Sequence, residues 1–224
     1  MAGDPDKDGW IELIGSADLT AWKATTGWLS VGDVSLDPEN PKRLKGEAGT
    51  GVVYNGPLGR ATNLLTKESF GDVEVHLEFN VPKGSNSGIK LGAVYEIQIF
   101  DSFGVEKMTA MQNGGVYPRA ELLPKYHYID EGHPPRTNAS RPPGEWQTLD
   151  IVWHAPKVDA EGKKISNGRF DKVVLNGQVI HENLEVLTPT GNNWKKPETP
   201  TGPILLQGDH GPVAFRNVRV RLIR

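Results

Sequence analysis

Acidic and amide side chains alternate with apolar ones in residues 95–100, the segment best suited to chemistry in this chain. Apolar side chains at positions 95, 97 and 99 alternate with Glu96 and Gln98, which is the period of a half-buried strand. Glu96 and Gln98 therefore share one face, about 7 Å apart. An acid and an amide on the open face of a sheet suit binding of, or chemistry on, a hydroxyl-rich ligand. The alternative interpretation is an ordinary solvated sheet face.

Three stretches contain side chains that suit such a ligand: residues 86–101, 138–146 and 206–211. Amide, carboxylate and guanidinium groups can hydrogen-bond sugar hydroxyls, and an aromatic ring can support a sugar face. His210 stands beside Asp209 and could act as an acid or a base near neutral pH, although Gly-Asp-His-Gly is also a turn sequence. The candidate catalytic residues are Glu96, Asp101 and His210. The candidate ligand-binding residues are Asn86, Ser87, Lys90, Gln98, Tyr117, Arg119, Asn138, Trp146, Gln207 and Asp209.

A second acid beside Glu96 is missing from this strand. Ordinary glycosidases need two carboxyl groups about 5–10 Å apart across the scissile bond. Gln98 occupies the same-face position, and Asp101 alternates to the other face unless the strand has ended before it. Either a loop supplies the second carboxylate, or the chemistry differs, or the protein is not a catalyst.

The elements that would position these residues are predicted to be strands. Residues 72–81 and 146–153 alternate in the same way as residues 95–100, and the chain ends with another alternating stretch, 213–222. Asn176-Gly177 between two apolar runs is a strong hairpin signal, because both turn residues need a positive φ. Glycine and proline recur between short apolar runs, and we find no convincing long amphipathic helix. This pattern predicts an all-β jelly-roll sandwich of two antiparallel sheets.

Residues 104–143 and 188–203 do not resemble strands. Loops this long inside a compact domain are usually functional or disordered, and the aromatic residues of the first favour an ordered loop packed over one sheet face. We expect a flexible tail at residues 1–9 and one domain at residues 10–224.

Charge and composition exclude several classes. The 224 residues carry a formal net charge of −3 and form no basic stripe, which argues against nucleic-acid binding. No apolar run is long enough to span a bilayer. Because the chain has no cysteine, disulfides and thiolate metal sites are excluded. The six histidines do not follow metal-ligand spacing.

The ordered motifs together resemble the 3-keto-disaccharide hydrolase domain family over nearly the whole chain. The residues that carry the resemblance are 10–14, 19–22, 70–79, 86–88, 95–102, 141–147 and 206–217. The resemblance implies a concanavalin A-like jelly roll with long loops over the concave face, in proteins that bacteria usually export. The location would be periplasmic or extracellular if an export signal was removed, since none is visible here. No cofactor is implied, although a structural calcium ion is possible in this fold.

The resemblance also implies action on glycosides that carry a ketone at carbon 3 of the sugar. The ketone acidifies the proton on carbon 2, so that one base can start an elimination that expels the glycosidic oxygen, and water then adds back. This route needs one base, a donor for the enolate oxygen and an acid for the leaving group. Either His210 or Glu96 would be the base, and Asn86, Gln98 or Gln207 would bind hydroxyls or the oxyanion.

Two rival functions use the same fold. A non-catalytic carbohydrate-binding module should have an aromatic strip on an open groove, whereas an enzyme should have ionisable groups converging in one pocket under the 104–143 loop. A structural or adhesive domain would have its concave face filled by loops. A carbohydrate is the expected partner, and the sequence leaves the oligomeric state open.

Overall fold

The structure is a computed structural model that describes residues 4–15 and 18–223, and in this part of the chain it contains strands, turns and loops but no helix. The strands are β1 (Trp10–Ile14), β2 (Trp22–Lys23), β3 (Leu29–Asp37), β4 (Asn40–Tyr54), β5 (Leu64–Thr66), β6 (Val73–Asn80), β7 (Asn86–Leu91), β8 (Tyr95–Phe100), β9 (Ala120–Glu121), β10 (His127–Tyr128), β11 (Gln147–His154), β12 (Lys157–Val158), β13 (Lys164–Ser166), β14 (Gly168–Leu175), β15 (Gln178–Val186), β16 (Leu205–Leu206) and β17 (Ala214–Leu222).

Two antiparallel sheets make up the body of the domain. The larger has eight strands in the order β15-β14-β11-β6-β17-β4-β3, with β1 paired to β17. The smaller has five strands in the order β2-β5-β16-β7-β8. The prediction of a concanavalin A-like jelly-roll sandwich of two antiparallel sheets is confirmed. Among the described residues, no helix is long and apolar enough to cross a membrane.

The core lies between the inner faces of the two sheets. Val75 and Leu77 of β6 and Ile97 and Ile99 of β8 are among its members, and each is at most 1% exposed. Each such side chain stabilises the folded state by roughly 1.5–3 kcal/mol relative to an exposed one. The alternation seen in the sequence therefore reflects one face packed in this core.

The other face of β7 and β8 carries the polar residues. Lys90 pairs with Glu96 and Gly88 pairs with Gln98 in the antiparallel register, so all four belong to the face away from the core. Glu96 and Gln98 share one face, as predicted, but they are only 4% and 1% exposed. Loops cover this face, as predicted, and the alternative of a solvated sheet face does not hold at these two residues.

The hairpin predicted from Asn176-Gly177 joins β14 to β15, with φ values of 50° and 80° at the two turn residues. Residues 72–81, 146–153 and 213–222 were each predicted as strands and correspond to β6, β11 and β17 within one or two residues. Period-two alternation was a sufficient signal for these strands because each has one buried face.

The long hairpin of β3 and β4 was not singled out in the sequence. Most of its side chains are exposed or half-buried, and glycine and charged residues interrupt its pattern. It is held by a second, smaller core to which Val34, Leu44, Val52, Tyr54 and Ala214 contribute. A strand with so little buried surface has a weak alternation signal.

Residues 4–9 precede β1 as a turn. The Asp6 carboxylate accepts hydrogen bonds of 2.9 Å from the backbone N–H groups of Asp8 and Trp10. Residues 1–3 of the predicted tail, residues 1–9, lie outside the described part of the chain. From Trp10 onward the chain pairs with β17.

Candidate functional site

A polar cavity of about 330 Å³ opens on the outer face of the five-stranded sheet. Its volume lies at the small end of the range for ligand pockets, which suits one sugar unit and its immediate substituents. The cavity is lined by Asn63, Asn86, Lys90, Glu96, Tyr117, Leu122, Tyr126, Gly191, Asn192, Gln207 and His210.

A buried ion pair forms the floor of this cavity. Lys90 Nζ lies 2.9 Å from Glu96 Oε2, and the two side chains are only 15% and 5% exposed. The other carboxylate oxygen, Oε1, has no hydrogen-bond partner in the part of the chain that the structure describes. It lies over Gly88, where an added Cβ would be 2.6 Å from it. The glycine therefore makes room for the carboxylate.

Both long loops hold the backbone of Glu96. Tyr117 of the first loop donates its N–H to the Glu96 carbonyl over 3.1 Å. Thr190 of the second loop accepts the Glu96 N–H at Oγ1 over 3.0 Å. The edge of β8 is thus closed by two loops that are distant in sequence, and the carboxylate is fixed at the point where they meet.

His210 is oriented by the neighbouring aspartate. Its Nδ1 lies 2.6 Å from Asp209 Oδ1, so the neutral imidazole carries its proton on Nδ1 and leaves Nε2 as an acceptor. Arg60 donates a 2.7 Å hydrogen bond to the Asp209 carbonyl and ties this turn to the loop before β5. The His210 side chain is half exposed, which places it at the mouth of the cavity.

Three amide side chains line the same end of the cavity as His210. Asn63 Oδ1 accepts the backbone N–H of Gly208 over 2.8 Å, which fixes its orientation. Gln207 is anchored by its own N–H, which donates to the Gly88 carbonyl over 2.9 Å. Asn86 Oδ1 is buried and has no partner among the described residues. It is an acceptor that a ligand hydroxyl can satisfy.

Tyrosines form the opposite end of the cavity. The Tyr117 hydroxyl lies 3.3 Å from that of Tyr126 and 3.1 Å from that of Tyr128. Burial, and then these hydrogen bonds, raise the pKa of Tyr117 far above its ordinary value, and burial also raises the pKa of Tyr126. Both phenols stay protonated at neutral pH and can donate hydrogen bonds.

Three predicted site residues near β8 lie outside the cavity lining. Asp101 follows the end of β8, and its Oδ2 accepts the Gly84 N–H over 2.9 Å. Ser87 is fully buried and donates to the Gln207 carbonyl over 2.8 Å. Gln98 lies under the loop, where its Nε2 is 3.4 Å from the Met111 carbonyl and its Oε1 has no partner among the described residues.

The other predicted ligand-binding residues outside the lining hold loops and the large sheet. Arg119 forms an ion pair of 2.5 Å with Asp130. Asn138 donates two hydrogen bonds to backbone carbonyls at 102 and 105, of 2.7 and 2.9 Å, and so folds the 104–143 loop. Trp146 packs on the β3–β4 side of the large sheet and donates to Asp33 Oδ1 over 2.9 Å.

Of the thirteen predicted site residues, the structure brings six into the cavity lining and a seventh, Asp209, behind His210. The six are Asn86, Lys90, Glu96, Tyr117, Gln207 and His210. Lining residues that the sequence analysis did not select are Asn63, Leu122, Tyr126, Gly191 and Asn192. Tyr126 belongs to an aromatic run at 126–128 that the sequence shows. Nothing in the spacing of the other four residues connects them to Glu96.

Two larger cavities, of about 410 and 450 Å³, flank the β9–β10 hairpin. One is lined partly by residues 185–190 and the other partly by residues 107–111, and Asp130 borders both. Neither contains a candidate catalytic residue, so the smaller cavity is the better candidate for chemistry. Among the described residues, no group of three or more histidine, aspartate or glutamate side chains could hold a metal ion.

Comparison with known proteins agrees with the resemblance drawn from the motifs. The family model described as the 3-keto-alpha-glucoside-1,2-lyase-like domain matches residues 9–221. A comparison with curated proteins found no match.

Solved structures with a similar fold include three candidate glycosyl hydrolases from Parabacteroides distasonis. One is 25% identical, with a TM-score of 0.70 over 96% of this chain and 84% of the other. A second is 16% identical, with a TM-score of 0.61 over 100% of both chains. The third is 19% identical, with a TM-score of 0.53 over 88% of this chain and 99% of the other. The second and third structures are so distant in sequence that they indicate a shared fold alone.

Proposed function

The chain belongs to the 3-keto-alpha-glucoside-1,2-lyase-like domain family, and we propose that it cleaves 3-keto-glycosides by elimination across carbons 1 and 2 of the oxidised sugar. The family is carbohydrate-active. The observation that carries the finer proposal is the buried Lys90–Glu96 pair on the floor of a sugar-sized polar cavity. This pair supplies one base and one cation, whereas a second carboxylate is not among the lining residues.

The proposed reaction begins with removal of a proton and proceeds through an enolate to loss of the leaving group. A base takes the proton from carbon 2, and the electrons of that bond form an enolate with carbon 3 and its oxygen. The enolate then restores the ketone, a double bond forms between carbons 1 and 2, and the bond from carbon 1 to the glycosidic oxygen breaks. The leaving oxygen takes up the proton that the base removed from carbon 2, which yields an alcohol and an unsaturated keto sugar and returns the base to its starting form.

We assign Glu96 as the base. Oε2 is held by Lys90, and Oε1 has no hydrogen-bond partner among the described residues, so Oε1 can accept the proton. A positioned base of this kind contributes about 10²–10⁴-fold to a rate. His210, with Nε2 as its acceptor, is the second candidate base.

Lys90 would stabilise the enolate through an exchange of charge partners. When Glu96 accepts the proton its negative charge is lost, and the Lys90 ammonium is left beside the developing negative oxygen. The total charge of the cavity stays constant during the transfer. A preplaced cation in a water-poor site is an effective stabiliser of such an oxyanion.

The rival interpretation, a carbohydrate-binding module without catalysis, receives less support from this geometry. An ionised pair that is almost fully buried costs several kcal/mol of desolvation, which a purely binding surface does not require. Ionisable groups converge in one cavity, and the aromatic side chains stand at one end of it instead of along an open groove.

The decisive experiment compares a 3-keto-glucoside with its unoxidised parent, with product release followed by chromatography. We expect cleavage of the keto form alone. Glu96→Gln should lower this rate about 100-fold or more, and should also slow exchange of the carbon-2 proton with deuterated water. Glu68→Gln, which changes an exposed carboxylate, is the matched control.

Other outcomes each have a defined meaning. Cleavage of the parent glucoside would indicate an ordinary glycosidase with its second carboxylate in a loop. Binding of both sugars without cleavage would favour the carbohydrate-binding module. If Glu96→Gln and His210→Ala both keep full activity, the assignment of the base is wrong.

A further inference from the structure

The tip of the β9–β10 hairpin, residues 122–126, exposes apolar side chains beside the cavity. Leu122 is 54% exposed, Leu123 is 79% exposed and Tyr126 is 48% exposed. Isolated exposed leucines are common on protein surfaces, but adjacent ones at the rim of a pocket are typical of a binding surface. Leu122 and Tyr126 themselves line the cavity.

The strand order places this tip at one defined end of the cavity. β5, β16, β7 and β8 follow one another across the sheet, and residues 114–117 extend it beyond β8 through hydrogen bonds with Glu96 and Gln98. Asn63 and Gln207 therefore lie on one side of the Lys90–Glu96 pair, and Tyr117 with the tip lies on the other. The first end of the cavity carries amide side chains, and the second carries the Leu122 side chain and the rings of Tyr117 and Tyr126.

The tip is held in place by contacts outside the cavity as well as within it. Lys195 forms a 2.6 Å ion pair with Glu121 at the base of the hairpin. The rings of Tyr126 and Tyr128 pack edge to face, with centroids 5.5 Å apart, and the Tyr126 hydroxyl lies 3.3 Å from that of Tyr117. A surface that is already ordered loses little conformational entropy when it binds a ligand.

We propose that this tip is the subsite for the leaving group and that it selects substrates with an apolar, aromatic aglycone. The inference rests on the proposed function. The hydroxyl-rich ring belongs at the amide-lined end, next to Asn63, Asn86 and Gln207. The group attached through the glycosidic oxygen then extends past Glu96 onto Leu122, Leu123 and the Tyr126 ring.

Burial of an aromatic aglycone against two leucines and a tyrosine removes apolar area from water on both partners. A flat ring can also pack against Tyr126 in an offset or edge-to-face arrangement. A second sugar as the leaving group would place hydroxyls against the leucines, where only the Lys125 ammonium and the Tyr126 hydroxyl of the tip could hydrogen-bond them. The surface therefore discriminates between leaving groups.

The test uses 3-keto-glucosides that share one sugar and differ in the leaving group: phenyl, methyl or glucosyl. The measured quantity is the ratio of kcat/KM between phenyl and methyl substrates, in the native protein and in the double variant Leu122→Ser, Leu123→Ser. We expect this ratio to fall about tenfold in the variant. The intrinsic reactivity of each leaving group is the same in both proteins, so a change in the ratio measures the contact between the leaving group and the tip. Ile165→Ser, at a site 66% exposed in β13, is the control and should leave the ratio unchanged.

An unchanged ratio in the double variant would overturn the proposal, and so would a native preference for the glucosyl leaving group. A concentration-dependent dimer that the double variant abolishes would assign the tip to a second copy of the chain instead. If no keto substrate is cleaved, the proposed function fails. Calorimetry with unoxidised phenyl and methyl glucosides, in both anomers, then tests the subsite by itself. If the proposal is correct, the native protein binds the phenyl glucoside about tenfold more tightly than the methyl glucoside, and the double variant loses this preference.

Discussion

At the scale of single residues, the Lys90–Glu96 pair is the unusual feature of this domain. The two opposite charges are largely buried, and the residues that carry them lie directly opposite each other on the paired strands β7 and β8. Burial of such a pair is a weak source of stability, because desolvation offsets most of the attraction. Its placement in a cavity is better explained by chemistry than by folding.

Replacement of one member of this ion pair should therefore destabilise the fold more than replacement of both members. We expect Lys90→Met to lower the free energy of unfolding by about 3 kcal/mol, since an unpaired carboxylate stays buried. Adding Glu96→Gln to that variant should restore roughly half of the loss. Denaturant unfolding of the two single variants and the double variant at neutral pH measures the coupling.

Lys157→Met is the control for this cycle. Lys157 forms a 2.8 Å ion pair with Asp72 but is 49% exposed, so its loss should cost about 1 kcal/mol or less. If the double variant is as unstable as the sum of the two single variants, Lys90 and Glu96 are not energetically coupled.

At the scale of elements, the site depends on the pairing of β7 with β8. Gly88 lies opposite Gln98 and next to Lys90 on the same face, and the Glu96 carboxylate occupies the space above it. The two long loops then close the free edge of β8 at Tyr117 and Thr190. A strand pair and two loops thus determine where one carboxylate lies.

Gly88→Ala tests this arrangement. The new Cβ would lie 2.6 Å from Glu96 Oε1, which can move because it is the end of a side chain. We expect activity on the keto substrate to fall about 100-fold, as for a displacement of roughly 1 Å of a catalytic group. Stability should change by about 1 kcal/mol or less, measured by thermal unfolding. A stable variant with full activity would show that the position of Glu96 is not critical.

At the scale of the whole molecule, His181 joins the large sheet to the loop that closes the site. It lies on β15, is 5% exposed, and its Nε2 donates a 2.7 Å hydrogen bond to the Gly114 carbonyl. Gly114 in turn donates its N–H to the carbonyl of Gln98 in β8. A single neutral imidazole therefore connects the two sheets through the loop.

Acidification should loosen this connection. Burial lowers the pKa of His181 from its ordinary 6.5 to about 4. The hydrogen bond to the Gly114 carbonyl acts to raise this pKa, whereas the nearby His133 and Arg136 side chains act to lower it. The unfolded chain binds the proton more readily, so the stabilisation is complete above pH 6.5 and is lost as the pH falls from 6.5 towards 4. At pH 5 the loss should be about 2 kcal/mol.

His181→Gln separates this effect from the titration of carboxylates. A glutamine amide can still donate to the Gly114 carbonyl, but it does not titrate. Unfolding free energies measured between pH 7 and pH 5 should therefore vary less in the variant than in the native protein. Equal slopes in the two proteins would exclude His181 as the cause.

The sequence alone determined the fold class and part of the site. Period-two alternation identified β6, β8, β11 and β17, because a strand with one buried face must alternate. The Asn176-Gly177 turn was predicted for an equally local reason, the need for positive φ. The outward direction of Glu96 followed from the same alternation, so the acidic side chain at the centre of the candidate site was identified from the sequence.

Only the tertiary structure decided which residues meet Glu96. Strand order and register set the approach of Lys90, Asn63 and the hairpin tip, and no local pattern encodes them. Asp101, whose type suited a catalytic role, instead caps a turn at Gly84 beyond the end of β8. Side-chain chemistry and period are properties of neighbouring residues in the chain, whereas a cavity is made by residues far apart in sequence that packing of the whole domain brings together.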